Sequence, residues 1–391
     1  MDVGSLCAAL VKIRSENPPG DTTDIAHYVQ GFLDEIGIRT TLVPSPGGRT
    51  SVVSQKQCHP LLLCGHLDTV PALPEGWRHP PFSGDIVDGY VWGRGATDMK
   101  GGCAAIMWAL HTLCEEGGEP CADVLFVADE ETSGTYGVVP VLERGLISAC
   151  DCLLAEPTPD RYASIGQKGL CRLDLHFKGD PCHGSLYPAQ GVSAIMEAYS
   201  LLTFLEEVHT RRYAPPAFLE KVIKESSAVL EAIFGIAHAE EVLTQVMYNP
   251  GTIKGGEKAN VVAQHCDLSL DIRLPWGCDP AALIKDIELR ANRATVTTSA
   301  IAAPSLTPPD APVVQTTLAA IERVCGAPAT PFVQWAASDA RHLRAAGFSV
   351  VEYGPGEIST LHAVGERVSL ASLENATAVY CNVIRAYSDA P

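Results

Sequence analysis

Five stretches of the sequence end an apolar run in a residue able to hold a metal ion or move a proton. Leu61 to Cys64 leads into Gly65-His66-Leu67-Asp68, and VWGRGATDMKGG delivers Asp98 just ahead of a helix-like segment. Val124 to Ala128 ends in Asp129-Glu130-Glu131, Leu153 to Ala155 ends in Glu156-Pro157-Thr158, and Val350 to Tyr353 runs on to His362. Singly, each has an ordinary explanation: a strand-end histidine is often just a satisfied polar group, and an aspartate ahead of a helix is often an N-cap. Together they supply neutral imidazoles, carboxylates able to bridge two ions and an open position for water, which is the donor set of a co-catalytic zinc site. The chemistry implied is metal-assisted hydrolysis.

Such a site needs a scaffold that carries distant stretches to one edge, and open α/β sheets do so because ligands bind outside the carboxyl ends of their strands. The four apolar runs are short and nearly continuous, so they read as strands buried on both faces. Helix-like segments lie between them, notably Gly101 to Glu116, which predicts an α/β fold with a mostly parallel, doubly covered sheet. Ahead of them, Leu6 to Gly37 reads as helix, loop, helix around ENPPGD, the second helix opening on capping residues in TTDIAHYVQGFLDEIG. From about Lys168 to Ala300 the pattern changes. LDLHF and CDLSLDIR alternate apolar with polar residues, as antiparallel strands with one covered face do. Val192 to about Met247 is helical by periodicity with a break at APPAF, and APSLTPPDAP marks a return to the first domain. With 391 residues and about 100 to 200 per domain, the expectation is a catalytic domain of residues 1–167 and 301–391 with an inserted α+β lid and dimerisation domain of residues 168–300. The edge of the inserted sheet must be covered or paired, which predicts a homodimer.

Composition narrows the partners. The chain is 46% hydrophobic and 19% charged, as packed globular proteins are. Its net charge of −18 repels nucleic-acid phosphates and anionic membrane surfaces. The opening residues show no basic leader, and no run of 18 or more apolar residues occurs, so neither targeting nor membrane spanning is expected. The 14 cysteines are scattered through runs such as LLLCGH and ACDCLLAE without CxxC spacing, which predicts free thiols in a reducing, cytoplasmic setting.

The motifs GHLDTVP, GRGATDMKGG, ADEETSGTYGV, AEPT and HAVGE run in order along nearly the whole chain. They resemble those of the zinc deacylase and exopeptidase family of acetylornithine deacetylase, succinyl-diaminopimelate desuccinylase, aminoacylase and carboxypeptidase G. GEKANVVAQHCDLSLDIRLP and SDARHLRAAGFSVVEYGPG resemble its deacetylase and desuccinylase branch. The resemblance implies two zinc ions, with cobalt or manganese the alternatives. Asp98 would bridge them, His66 and Glu156 completing one ion and Glu131 and His362 the other. Glu130 would then be the general acid/base, because adjacent carboxylates can divide the work: one is neutralised by metal and the other shuttles a proton from water to the leaving amine. Asp68, two residues beyond His66, is expected to accept the second imidazole N–H.

The same resemblance implies that His183, in GDPCHGSLYP, reaches the active site of a partner subunit and steadies the oxyanion; Cys182 beside it has no assigned role. Arg273 continues the polar face of CDLSLDIR, in phase with Asp267, Ser269 and Asp271. Its guanidinium suits a substrate carboxylate, with a salt bridge to a neighbouring acid as the alternative. Asn260 would add a polar contact, and Gly354, Pro355 and Gly356 a pocket wall. The implied activity is deacylation of a small N-acyl amino acid, in the manner of acetylornithine deacetylase or succinyl-diaminopimelate desuccinylase. A metallo-dipeptidase or carboxypeptidase is the alternative within the class. A zinc-binding protein without turnover is the alternative outside it, and the carboxylate of Glu130 argues against that one.

Overall fold

Strands Asp123–Val127, Leu61–His66, Asp151–Leu154 and Ser349–Glu352 carry the four apolar runs and lie side by side as the parallel centre of a nine-stranded sheet. Successive side chains of a strand point to opposite faces, so runs this apolar are stable only where both faces are covered. On one face Leu62, Cys64, Leu125, Val127, Cys152, Leu154 and Val350 pack against Val138, Val141, Ala340 and Leu343, from the short helices Val138–Glu143 and Ala340–Ala345. On the other, Gly65 lies so close to Cys103 and Met99 that a Cβ would fall 2.9 Å from the Cys103 sulfur. There helix Gly101–Glu115 packs in turn on Leu370–Ser388 and Val3–Lys12. Thr50–Ser54 and Thr40–Pro44 extend one edge antiparallel, and Tyr162–Gln167 adds an antiparallel strand at the other. A small antiparallel sheet of Asp85–Val87, Tyr90–Trp92 and Arg367–Ser369 brings the approach to Asp98 beside the HAVGE stretch.

The computed structural model describes residues 1–389 and comprises two compact units. The first unit holds Met1–Gly166, Leu306–Phe332 and Ser338 onward; the second holds Gln167–Ser305 with Val333–Ala337. Nothing in the sequence pattern marked the small segment Val333–Ala337. It groups with the second unit through main-chain hydrogen bonds: Lys168 N donates to Gln334 O at 3.1 Å, and Val333 N donates to Ser226 Oγ at 2.9 Å.

The second unit is built on a four-stranded antiparallel sheet in the order Met247–Gly255, His265–Leu274, Gly169–Lys178, Ala294–Ala302. Cys171, Leu173, Leu175 and Phe177 with Cys266, Leu268, Leu270, Ile272 and Leu274 form its apolar face, covered by helices Ala194–Thr210 and Pro280–Arg290. The helical stretch continues as Ala217–Phe234 and Ala239–Thr244.

Helices Val3–Lys12 and Thr23–Glu35 open the chain. The second is capped differently from expectation: Thr22 makes no side-chain cap, because its hydroxyl donates to Thr50 O at 2.9 Å and accepts from Thr50 N at 2.7 Å. All fourteen cysteines are free. Among the described residues no helix is long and apolar enough to cross a membrane.

Candidate active site

Parallel pairing puts the chemistry at one end of the central strands. His66 closes Leu61–His66, and the pairings Cys64 with Leu154 and His66 with Val127 set Glu156 on one side of it and the 129–131 loop on the other. Asp98 enters from the loop before Gly101–Glu115 and lies between the two imidazoles. Its Oδ1 is 3.0 Å from His66 Nε2 and its Oδ2 is 3.1 Å from His362 Nε2. Glu156 Oε1 stands 4.0 Å from His66 Nε2, and Glu131 Oε2 stands 3.3 Å from His362 Nε2. The result is two triads, His66/Asp98/Glu156 and Asp98/Glu131/His362, each with its donor atoms within 4.8 Å of one another and with Asp98 common to both.

The electrostatics suit cations. Burial pushes the carboxyls of Glu130, Glu131 and Glu156 up, and hydrogen bonds to Asp98 and Glu131 push His362 up to about 10. Burial works to lower His66, but the neighbouring carboxylates of Asp68, Asp98 and Glu156 prevail and raise it. Imidazoles that hold protons this firmly because their neighbours are anionic will exchange those protons for divalent ions. The donor set, two imidazoles and three carboxylates with one shared, therefore fits a two-metal centre.

Asp68 departs from expectation. The second imidazole nitrogen, Nδ1, bonds to the main-chain oxygen of Asp68 at 3.0 Å, while the carboxylate Oδ1 is 3.6 Å away, beyond a good hydrogen bond. The main-chain contact still orients the ring with Nε2 toward Asp98. The Asp68 carboxylate instead accepts from Glu130 N and Glu131 N, each at 3.1 Å. The reason is local: Asp129 has φ of +66°, and the sharp turn leaves successive N–H groups facing one acceptor.

Several residues that hold this arrangement went unassigned in the sequence. Asn17, buried in the ENPPGD turn, donates its amide to Asp68 Oδ2 at 2.9 Å and Asp129 Oδ1 at 3.0 Å, and Arg49 Nε also reaches Asp129 Oδ1 at 3.0 Å. Glu366 Oε1 accepts from Thr97 N and Asp98 N, both at 3.0 Å, while its Oε2 pairs with Arg94; Arg94 Nη2 reaches His362 O at 3.2 Å. The buried Arg94–Glu366 pair thus ties the Asp98 loop to the His362 loop. Glu366 lies inside HAVGE, so residue type and motif were its only signals; Asn17 had only its place before two prolines.

Asn17→Ala removes one donor from each of two buried carboxylates that keep their other partners, a loss of about 0.5–1.5 kcal/mol per hydrogen bond, toward the upper end because the acceptors are charged. The expected result is a lower denaturation midpoint together with a fall of about tenfold or more in kcat, in the range seen for residues that orient ligands. Denaturant titration and steady-state kinetics check it. An unchanged kcat would mean that the Asp68–Asp129 bridge does not hold the 129–131 loop.

Gly354 lies against the backbone of Ala155 and Glu156: a Cβ there would fall 2.1 Å from Ala155 O and 2.8 Å from Glu156 O. Only glycine lets the 354–356 loop approach the Glu156 strand end so closely. In the second unit, His183 is exposed, with Nδ1 2.8 Å from Ser185 Oγ. Gly184 N donates to Asn260 O at 2.8 Å, so His183 and Asn260, far apart in sequence, are neighbours in space. Cys182 Sγ donates to Gln190 O at 3.2 Å and so helps close the His183 loop. Arg273 makes the alternative contact foreseen for it, a forked pair with Asp271 at 2.7 and 3.3 Å, because residues two apart on a strand share a face.

The sheet and the two triads define a hydrolase of the metal-dependent, amide-cleaving class. The family model for peptidase family M20/M25/M40 matches residues 62–386, and the chain belongs to this family. A succinyl-diaminopimelate desuccinylase of Cereibacter sphaeroides is 30% identical over 342 residues, covering 83% of this chain and 82% of that one. Among solved structures, an M20 family metallo-carboxypeptidase from Sulfolobus solfataricus superposes with a TM-score of 0.81 at 20% identity, covering 99% of both chains. A dinuclear metal-binding M20 peptidase from Bacillus subtilis gives 0.63 at 14% identity, covering 98% of this chain and 96% of that one.

Proposed function

We propose that this chain is a two-metal deacylase that hydrolyses the amide of a small N-acyl amino acid, with succinyl or acetyl as the acyl group. The observation that carries the reading is the division of the adjacent glutamates. Glu131 belongs to the triad with Asp98 and His362, whereas Glu130 belongs to neither triad, although the same Asp68 carboxylate holds the N–H of both. One carboxylate is thereby committed to an ion and its neighbour is left to move protons.

His66, Asp98, Glu156, Glu131 and His362 would hold the ions, zinc by their nitrogen and oxygen chemistry. Such ions polarise the scissile carbonyl and make water more acidic. Glu130, raised by burial, takes the proton of the attacking water and returns it to the leaving nitrogen. Asn17 and Asp68 keep its backbone in place during that transfer. His183 donates a hydrogen bond to the oxyanion, and Arg273 with Asn260 binds the substrate carboxylate, with Gly354 letting the 354–356 loop form a pocket wall close to Glu156. The second unit serves as lid and dimerisation domain, and the free thiols support a cytoplasmic setting. The metal-loaded enzyme is to be assayed side by side on N-succinyl-diaminopimelate, N-acetylornithine, other N-acetyl amino acids and dipeptides. Preference for dipeptides would replace deacylase by dipeptidase or carboxypeptidase.

Arg273→Ala lowers kcat/KM for free-acid substrates by more than tenfold, equivalent to about 1.4 kcal/mol, because a charge-assisted fork is lost. Substrates with that carboxylate amidated lose far less. Equal losses on both would mean that the Asp271 pair serves only to hold the sheet. If His183 acts across a homodimer, mixing inactive His183→Ala and Glu130→Gln chains restores part of the activity after subunit exchange. No recovery, with exchange verified, would reject action in trans.

A further inference from the structure

At the end of the central strands opposite the two triads, three donors of different chemistry converge. Cys58 and His59 stand just ahead of Leu61–His66, and Asp123 opens the neighbouring strand, paired with Leu62. One ligand atom from each lies within 4.8 Å of the others: the thiol sulfur, an imidazole nitrogen and a carboxylate oxygen. The arrangement is held in place by its own members. Asp123 is buried, and its Oδ2 accepts the main-chain N–H groups of Cys58 at 3.0 Å and His59 at 2.7 Å, so the third donor fixes the backbone of the other two. Gln57 adds to this, donating to Ser148 O at 2.9 Å and to Cys150 Sγ at 3.3 Å while accepting from Ser148 N. Cys58 is exposed and His59 half-buried, and both line a cleft of about 620 Å³ with Ser148, Cys150 and Asp151. Two of the three donors can therefore be reached from solvent, while Asp123 is buried and held in position by the backbone N–H groups it accepts, which reduces the ordering cost of binding.

We propose that Cys58, His59 and Asp123 form a further, mononuclear zinc site. A thiolate, an imidazole and a carboxylate are the three protein ligands that zinc accepts in tetrahedral sites, with the fourth position left to water. Binding releases the Cys58 thiol proton to solvent, so affinity rises with pH. The six-residue strand Leu61–His66, at about 3.3 Å per residue, lies between His59 and the triads, so this ion lies on the order of 20 Å from them. Held by donors from both, the ion ties the turn before one central strand to the start of the next, and its fourth position stays open.

The test uses the full chain titrated with cobalt(II), because a thiolate ligand produces a sulfur-to-cobalt charge-transfer band and neither triad contains a cysteine. At saturating cobalt the band reaches the intensity of one thiolate-bound ion per chain in the wild type and in Asp98→Ala, which lacks the shared carboxylate of the triads. Cys58→Ser abolishes it, and His59→Ala weakens cobalt binding by about tenfold or more. Amide hydrolysis by zinc-loaded Cys58→Ser stays at the wild-type rate, and its cooperative unfolding verifies the fold. Absence of the band at saturating cobalt, its survival in Cys58→Ser, or its loss in a folded Asp98→Ala chain would each overturn the site.

Discussion

Glu130→Gln retains two ions in the triads and loses about 10²- to 10⁴-fold in kcat, the contribution typical of a positioned general base. The substitution keeps the side chain's size and leaves the main-chain bond from residue 130 to Asp68 Oδ1 intact, so the loop has no reason to move. What disappears is the ability to accept a proton from water and return it to the leaving nitrogen. Because Glu130 belongs to neither triad, metal content is expected to be unaffected, and that separates loss of the base from loss of a ligand. Elemental analysis of the dialysed variant, with steady-state kinetics on an N-acyl amino acid, gives both readings from one preparation. A fully metallated Glu130→Gln chain with wild-type turnover would sink the assignment.

Asp98→Ala is expected to abolish detectable activity and to deplete both ions, whereas His362→Ala depletes chiefly one. Asp98 is the only residue common to the two triads, with one oxygen 3.0 Å from His66 and the other 3.1 Å from His362. Residues that merely support a ligand cost about 10- to 100-fold in metal affinity when removed, so loss of a bridging carboxylate should exceed that. Retention also depends on pH. His362 is pushed up to about 10 by its hydrogen bonds to Asp98 and Glu131, so protons compete with the ion for the same nitrogen, and affinity falls as pH is lowered. A bound ion present at a hundred times its dissociation constant stabilises the fold by about 2.7 kcal/mol. Chelation should therefore lower the unfolding midpoint of the wild type by more than that of Asp98→Ala, in which only the ion held by Cys58, His59 and Asp123 is left to lose. Calorimetry with and without chelator, over a pH series, checks all three expectations; an Asp98→Ala chain that keeps two ions would remove Asp98 from the bridge.

The positions of the strands and of the candidate ligands were legible because both depend on local pattern. An apolar run with no polar alternation has to lie in a doubly covered strand, and a parallel strand delivers whatever follows its last residue to the carboxyl edge of the sheet. His66, Glu130, Glu131 and Glu156 follow directly from that rule. Asp98 and His362 sit on loops, where only residue type and motif pointed to them. Arg273 shows the limit of pattern: its phase set the face it occupies, but not whether Asp271 or a substrate takes its guanidinium.

By itself, the sequence determined an α/β sheet with an inserted antiparallel one, and the chemical types that meet at the sheet's carboxyl edge, because periodicity and strand direction are properties of neighbouring residues. Only the tertiary structure decided which acceptor each buried donor finds. Asp68 turns its carboxylate to the 130–131 backbone, Asn17 joins Asp68 to Asp129, Glu366 grips the Asp98 loop, and Asp123 gathers Cys58 and His59. These partners lie from 51 to 268 residues apart in most of the contacts concerned, and no period in the sequence encodes them. A buried polar group must be satisfied by whatever the fold brings within about 3 Å, so its partner is settled only when the chain has closed around it.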